Sequence, residues 1–436
     1  MQTQTLSSVI LQGLKAAGLA CVLLASTAYA QAVDPVRQLA ATEKPKLLET
    51  LQSIVDIESG STNRAGLDKL SALIADRLKV LGGEVQLIEP RVEDVYRMED
   101  TPENPSAIGR MVQATFRGTG SKRILLIAHM DTVYPAGMLA QQPYRVDGNR
   151  AYGLGIADDK QGVATILHTV AMLQTLKMRD YGTLTVLING DEELSSPASR
   201  KRMTELGAAH DAVLSFESSR VESDKLSLAT SGIALASLNV RGRASHAGSA
   251  SELGVNALYE LSHQLLQLRD LSVPDRGLKV NWTVSRAGLV RNMIPPAAQA
   301  WADIRLLRVS DLQEVEKTVR ARIQNKLLPA SEVSVTFENR RPPLEATAAS
   351  RTLAAHAQTI YREIGKSLVV DDQPEGGGTD AAFAALQTKA PVIERMGLQG
   401  FGAHSNNSEY ILVDSIEPRL YLATRLISDI AAGKGQ

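Results

Sequence analysis

Cysteine is almost absent from this 436-residue chain, and the single residue, Cys21, lies within its first thirty positions. Beyond that point there is no thiol to serve as nucleophile, metal ligand or half of a disulfide. Charge is nearly balanced, with a formal net of -1, so no general attraction to nucleic acid or an anionic membrane is expected. Selectivity for a charged ligand must then come from local residues. A bilayer-spanning run is missing too. Ala16 to Ala25 is apolar but too short, and nothing later replaces it. With Lys15 before that run and Ala28-Tyr29-Ala30 after it, residues 1–30 read as a signal peptide. Cleavage after Ala30 predicts a periplasmic or secreted mature protein, free of the membrane. There is also no G-x-S-x-G elbow, which removes one familiar serine nucleophile.

What is present is a set of short, wholly apolar stretches that stop at histidines and carboxylates. Ile124 to Ala128 is followed by His129-Met130-Asp131, Thr183 to Ile188 by Asp191-Glu192-Glu193, and Ala212 to Phe216 by Glu217. Unbroken apolar runs of this length predict strands buried on both faces. Helical stretches between them predict an α/β fold, a mainly parallel sheet with helices on both faces. From Leu226 the rhythm changes to strand, helix (Leu253 to Leu268), two strands, helix (Asp311 to Leu328) and strand (Val333 to Glu338). That order predicts an inserted α+β unit of ferredoxin-like type. The boundaries expected are 31–227 with 341–436 for the main domain and 228–340 for the insert.

The ends of parallel strands are where open α/β sheets place their ligands. His129, Asp158, Glu193, Glu217 and His404 could therefore converge at one sheet edge. Two imidazoles with three carboxylates suit zinc in a two-metal site better than calcium or a thiolate-selected metal. Asp158 is the best candidate to bridge two ions, because the glycines around it allow close backbone approach. If Glu193 coordinates, adjacent Glu192 is free to take a proton from the attacking water and pass it to the leaving amine. Taken singly, each of these residues has a plain structural explanation. Their repetition at strand ends favours a metal-dependent hydrolase over a binding protein. The remaining histidines, His168, His210, His263 and His356, fall in or near helices and are assigned structural or surface roles.

The ordered motifs His129-Met130-Asp131-Thr132-Val133, Gly155-Ile156-Ala157-Asp158-Asp159-Lys160, Asp191-Glu192-Glu193, Ser215-Phe216-Glu217 and His404-Ser405 resemble those of the dizinc exopeptidases, in particular the glutamate carboxypeptidase branch. The resemblance extends to Ala244-Ser245-His246-Ala247-Gly248 and Gly376-Gly377-Gly378-Thr379-Asp380. It implies two zinc ions per subunit: one on His129 and Glu217, one on Glu193 and His404, and Asp158 on both. Glu192 would be the general base and Asp131 the support behind His129. A cis peptide is implied after Asp158. His246 would be a lid histidine reaching the active site of a partner subunit, which implies a homodimer and a lid and dimerisation role for the insert. Asn292, Arg305 and Arg341 match positions near the substrate, Arg341 being the candidate for its free carboxylate. Lys225 is a candidate for a glutamate side chain. The implied reaction is hydrolysis of an amide to release a C-terminal amino acid, glutamate, from a small N-acyl amino acid or folate-like substrate. The alternative is the same chemistry on another N-acyl amino acid or dipeptide. Ser218-Ser219 where relatives carry proline, Met293 to Pro296, and Arg340 beside Arg341 depart from the family pattern near the substrate.

Overall fold

The computed structural model describes residues 34–374, 377–405 and 408–435. Residues 1–30, expected to be a signal peptide, with Cys21 among them, and Gly376 lie outside the described residues. No described helix is long and apolar enough to cross a membrane.

Five strands of the first sheet come early in the chain: β1 (Glu84–Ile88), β2 (Met111–Arg117), β3 (Arg123–His129), β4 (Thr183–Asn189) and β5 (Ala212–Ser215). The chain then builds a second sheet from β6 (Gly232–Arg241), β7 (Lys279–Ala287), β8 (Ala297–Leu306) and β9 (Glu332–Arg341). It returns to add β10 (Val392–Ile393) to the first sheet. That sheet runs β1-β2-β4-β3-β5-β10. Its β4–β3, β3–β5 and β5–β10 pairings are parallel, and the β1 side is antiparallel.

Both faces are covered, and β3 shows why its sequence lacks alternation. Ile124, Leu126 and Ala128 join the core under α1 (Pro35–Val55), α2 (Arg64–Val80) and α3 (Gln161–Thr175). Leu125 and Ile127 join the opposite core with Met203 and Leu206 of α4 (Arg200–Ala209). Successive side chains point to opposite faces, so a strand sandwiched by helices must be apolar at every position. Each fully buried Leu or Ile contributes about 1.5–3 kcal/mol. Local signals start the first two helices. Asp34 caps α1 with Pro35 following, and Asn63 caps α2.

The second sheet is antiparallel throughout, in the order β7-β8-β6-β9. Helices α5 (Ala257–Gln267) and α6 (Val309–Arg322) lie between its strands in sequence and supply Leu261, Val315 and Val319 to its core. The topology is ferredoxin-like. Helix α6 ends at Arg322 rather than Leu328, because the buried Glu260 carboxylate of α5 accepts the backbone N–H groups of Leu327 and Leu328. The strand expected from Leu226 is divided. Lys225–Ser227 pairs with Val369–Asp371, and bridges from Ser227 to Glu394 and Thr230 to Leu344 carry the chain across to the second sheet. Later come α7 (Ala348–Glu363), α8 (Ala381–Ala385) and α9 (Ile416–Ala431).

A third, five-stranded sheet is unexpected from sequence. Its strands, Arg145–Asp147, Arg150–Tyr152, Tyr410–Leu412, Gln399–Phe401 and Ser219–Arg220, are two or three residues long. Pieces so short display no period. The sheet nevertheless fixes the loops around the site, since Asp158 follows one strand, Glu217 precedes another, and His404 lies between two more.

Candidate metal centre and active site

His129 closes β3, and Glu192 and Glu193 form a turn just past β4, so parallel strands deliver them to the same sheet edge. Glu217 follows β5. Asp158 sits in the tight turn Ile156–Lys160, entered through left-handed Gly155 (φ 69°), and the Asp158–Asp159 peptide is cis. His404 adopts a left-handed backbone, φ 61°, a conformation that costs a non-glycine residue roughly 1–3 kcal/mol and is typical of functional sites.

These residues meet around Asp158. Its Oδ1 is 3.0 Å from His129 Nε2, and its Oδ2 is 3.2 Å from His404 Nε2. His404 Nε2 is also 3.2 Å from Glu193 Oε2. Donor atoms of Asp158, Glu193 and His404 all fall within 4.8 Å of one another. The two oxygens of Asp158 thus face different histidines, as a bridging carboxylate must. Glu217 is close enough that Asp158, Glu192 and Glu394 all raise its carboxyl, after burial itself.

The electrostatics are those of a cation site. Burial pushes the Glu192 and Glu193 carboxyls above their usual range, against the pull of Arg341 and His404 respectively. Burial also opposes charge on His129, yet hydrogen bonds to Asp131 and Asp158 hold its imidazole well above the ordinary value. Hydrogen bonds to Asp158 and Glu193 lift His404 to about 10. Among the described residues, Glu193 Oε1 is buried with no hydrogen-bond partner. Crowded carboxylates, two imidazoles and an unsatisfied oxygen are the donor set a pair of divalent ions requires. The residues fit a dinuclear metal centre.

Asp131 does more than stand behind His129. His129 Nδ1 is 3.1 Å from the Asp131 backbone carbonyl and 3.4 Å from its carboxylate. That carboxylate accepts the N–H groups of Glu192 (3.0 Å) and Glu193 (3.1 Å) and the Ser61 hydroxyl (2.8 Å). It therefore ties the end of β3 to the turn carrying the candidate base.

The remaining candidates are distributed. Arg341, the last residue of β9, is buried with its guanidinium 2.7 Å from Glu192 Oε1 and 3.1 Å from Asp380. A side chain at Gly378 would place its Cβ 2.1 Å from Arg341 Cδ, so only glycine lets the arginine pass. Arg340 points the other way, to Asp100 and Glu338. Lys225 is buried and lies 3.2 Å from Asp371, so its charge is already matched. Arg305 pairs with Asp303 on β8, and Asn292 lies beside His246 through the Asn292 carbonyl and Ala247 N–H. Among the described residues, no hydrogen bond or ion pair links His246, Asn292 or Arg305 to the cluster within one chain. His246 is exposed, and its Nδ1 accepts N–H groups from Gly248 and Ser249 at 3.1 Å each. With Nδ1 accepting, the neutral ring carries its proton on Nε2, which is then the donor.

Sequence reasoning missed several residues. Asp380 holds Arg341, Asn189 and Ser196. Glu409 accepts the Tyr134 hydroxyl and the N–H groups of Gly155 and Ala157 in the turn around Asp158. The only sequence signal for Glu409 is its nearness to His404, which does not separate it from a solvated loop carboxylate.

Residues 125–429 match the model of peptidase family M20/M25/M40. The chain belongs to that family. It is 43% identical over 420 residues to carboxypeptidase G2 of a Pseudomonas species, covering 96% of this chain and 98% of that one. This supports the glutamate carboxypeptidase branch of the M20 family. Solved structures agree at the level of fold. A tripeptidase from Staphylococcus aureus aligns with a TM-score of 0.69 at 19% identity, over 89% of this chain and 99% of its own. A dinuclear metal-binding M20 peptidase from Bacillus subtilis aligns with a TM-score of 0.60 at 15% identity, over 90% and 99%. Membership of the M20 family makes this chain a metallocarboxypeptidase or amidohydrolase.

Proposed function

We propose that this enzyme hydrolyses the amide bond that joins an acyl group to a C-terminal amino acid, glutamate, in N-acyl and folate-type substrates. The observation that carries the reading is the position of Arg341, a buried guanidinium in contact with Glu192, on a chain so similar to a carboxypeptidase. A guanidinium fork binds a carboxylate in two-point fashion, so Arg341 selects a free C-terminal carboxylate and sets the adjacent amide beside Glu192. Two zinc ions would be held by His129 and Glu217, by Glu193 and His404, and by Asp158 in common. When bound, they supply Lewis acidity for the scissile carbonyl and the attacking water. Glu192 takes the proton from that water and returns it to the leaving amine. Lys225, with Asp371 beside it, serves the glutamate side chain, and Asn292 and Arg305 line the acyl side.

His246 Nε2 of a second copy donates to the oxyanion, since among the described residues no contact brings His246 to the cluster of its own chain. Two features support a homodimer. Among the described residues strand β7 pairs with β8 alone, leaving its other edge open, and α5 exposes Leu258, Tyr259 and Leu266. The mature enzyme acts in the periplasm or outside the cell once the leader is removed.

Product identification with folate and a panel of N-acyl amino acids tests the reading. Release of glutamate in strong preference to phenylalanine or leucine is expected. Preference for an apolar C-terminal residue would overturn the glutamate assignment and leave the alternative N-acyl amino acid or dipeptide hydrolase.

A further inference from the structure

We propose that Glu409 is a positioning residue whose carboxylate sets the geometry, and hence the affinity, of the metal ligands. Glu409 is buried at 4% exposure, and its two oxygens accept four hydrogen bonds. Oε1 takes the backbone N–H groups of Ala157 (2.8 Å) and Asp158 (3.1 Å). Oε2 takes the N–H of Gly155 (3.0 Å) and the hydroxyl of Tyr134 (2.6 Å). An ionised carboxylate offers about four lone-pair positions, so it is saturated.

The donors are unevenly distributed, and the distribution points to a role. Three are backbone amides of the single turn that presents Asp158. The fourth, Tyr134, lies just beyond His129 on the same segment, and its hydroxyl oxygen is also 3.2 Å from the carbonyl of Ser405, next to His404. Glu409 itself belongs to the His404 loop. One carboxylate therefore joins the three segments carrying His129, Asp158 and His404, which are far apart in sequence. Successive amides aimed at one anion make an anion-binding turn, and here the protein supplies the anion. Asp158 is shared between the two metal positions in the function proposed above, so a shift of its turn moves a ligand of both ions at once.

Glutamine is nearly isosteric but presents an NH₂ to one pair of donors, so Glu409→Gln loses two acceptor contacts while the volume is kept. The inference rests on the two-metal reading, and the test separates the two. The full-length chain is stripped of metal, then titrated with Zn²⁺ against a competing chelator and with Co²⁺ read by visible absorption. Far-UV circular dichroism of the stripped protein reports folding independently. The parent is expected to bind two ions, and fewer than two would overturn the two-metal reading itself. For Glu409→Gln, Zn²⁺ affinity is expected to fall about 10–100-fold, the usual cost of losing an outer support of a metal site, with an altered Co²⁺ spectrum. Tyr134→Phe, which removes one donor, is expected to fall several-fold, and it carries the test if Glu409→Gln does not fold. A folded variant with parental Zn²⁺ affinity and an unchanged Co²⁺ spectrum would overturn the positioning role.

Discussion

Arg341 and Glu192 are in buried contact, with a guanidinium nitrogen 2.7 Å from Oε1 of the carboxylate. The same arginine donates to the Glu192 backbone carbonyl and to Asp380. Asp380 is in turn held by Asn189 and Ser196. Both terminal nitrogens of the cation that would read the substrate's carboxylate are thus engaged, one with Asp380 and the other with the candidate general base. A substrate carboxylate arriving at Arg341 would compete directly with Glu192, and in the proposed function recognition and release of the base would then be one event.

That coupling predicts a particular pattern for Arg341→Met. Removing one partner of a buried charge pair typically costs 2–5 kcal/mol, or about 30- to 5,000-fold in kcat/KM, with kcat falling as well as KM rising. Arg341→Lys should recover little, because an ammonium lacks the fork. Kinetics with an N-acyl glutamate and its C-terminal carboxamide check the claim. The parent should discriminate strongly between them and the variant weakly. Equal discrimination by both enzymes would remove Arg341 from carboxylate recognition.

Glu192→Gln should lower kcat by about 10²–10⁴-fold, the usual contribution of a positioned base. Metal content should stay parental, since Glu193 rather than Glu192 lies against His404. Parallel metal analysis and steady-state kinetics on one preparation decide this. Parental turnover in a metal-replete variant would assign the proton transfer elsewhere.

The parts of this site that were legible in the sequence are those governed by burial. Ile124 to Ala128 is apolar at every position because helices cover both faces of β3, and the place of the candidate ligand His129 at its end follows from that. Glu193 and Glu217 were readable in the same way. Asp158 and His404 were readable only as residue types in motifs, because the strands that aim them are two or three residues long. Arg341 was legible as a cation but not as a partner of Glu192. That depends on the register of β9, where neighbours alternate and Arg340 is sent to Asp100. Glu409 and Asp380 were illegible as supports, since a carboxylate in a polar loop carries no mark of the amides that will close around it.

If His246 acts across a dimer, activity should be recoverable from two inactive chains. Glu192→Gln lacks its own base but offers its lid histidine; His246→Ala keeps its base and needs a histidine from its partner. Each heterodimer then has one complete site. With statistical subunit exchange, about a quarter of parental activity should return on mixing. Mass analysis must show that exchange has occurred. Exchange without recovered activity would place His246 outside the partner's site.

Acid should weaken the fold through His168, which is buried between α1 and α3. Its Nδ1 is 2.7 Å from Glu43, and its Nε2 is 2.9 Å from the Thr50 hydroxyl. Burial is the larger effect and lowers the imidazole's pKa, overriding the attraction of Glu43, with Arg77 and Lys46 acting in the same direction as burial. Below the unfolded value near 6.5, the unfolded chain therefore binds a proton that the folded chain refuses. Stability contributed by neutral His168 is complete above pH 6.5 and is lost as pH falls below it. Glu43 is also lowered; burial works against this, but Lys46 and His168 prevail, so it adds a loss of the same sign at more acid pH. His210, likewise buried and lowered, contributes in the same direction. Urea unfolding at pH 7.5 and pH 5.5 should therefore show a smaller drop in midpoint for His168→Gln than for the parent, with part of the drop remaining through His210. An equal drop in both proteins would assign the acid sensitivity to groups other than His168.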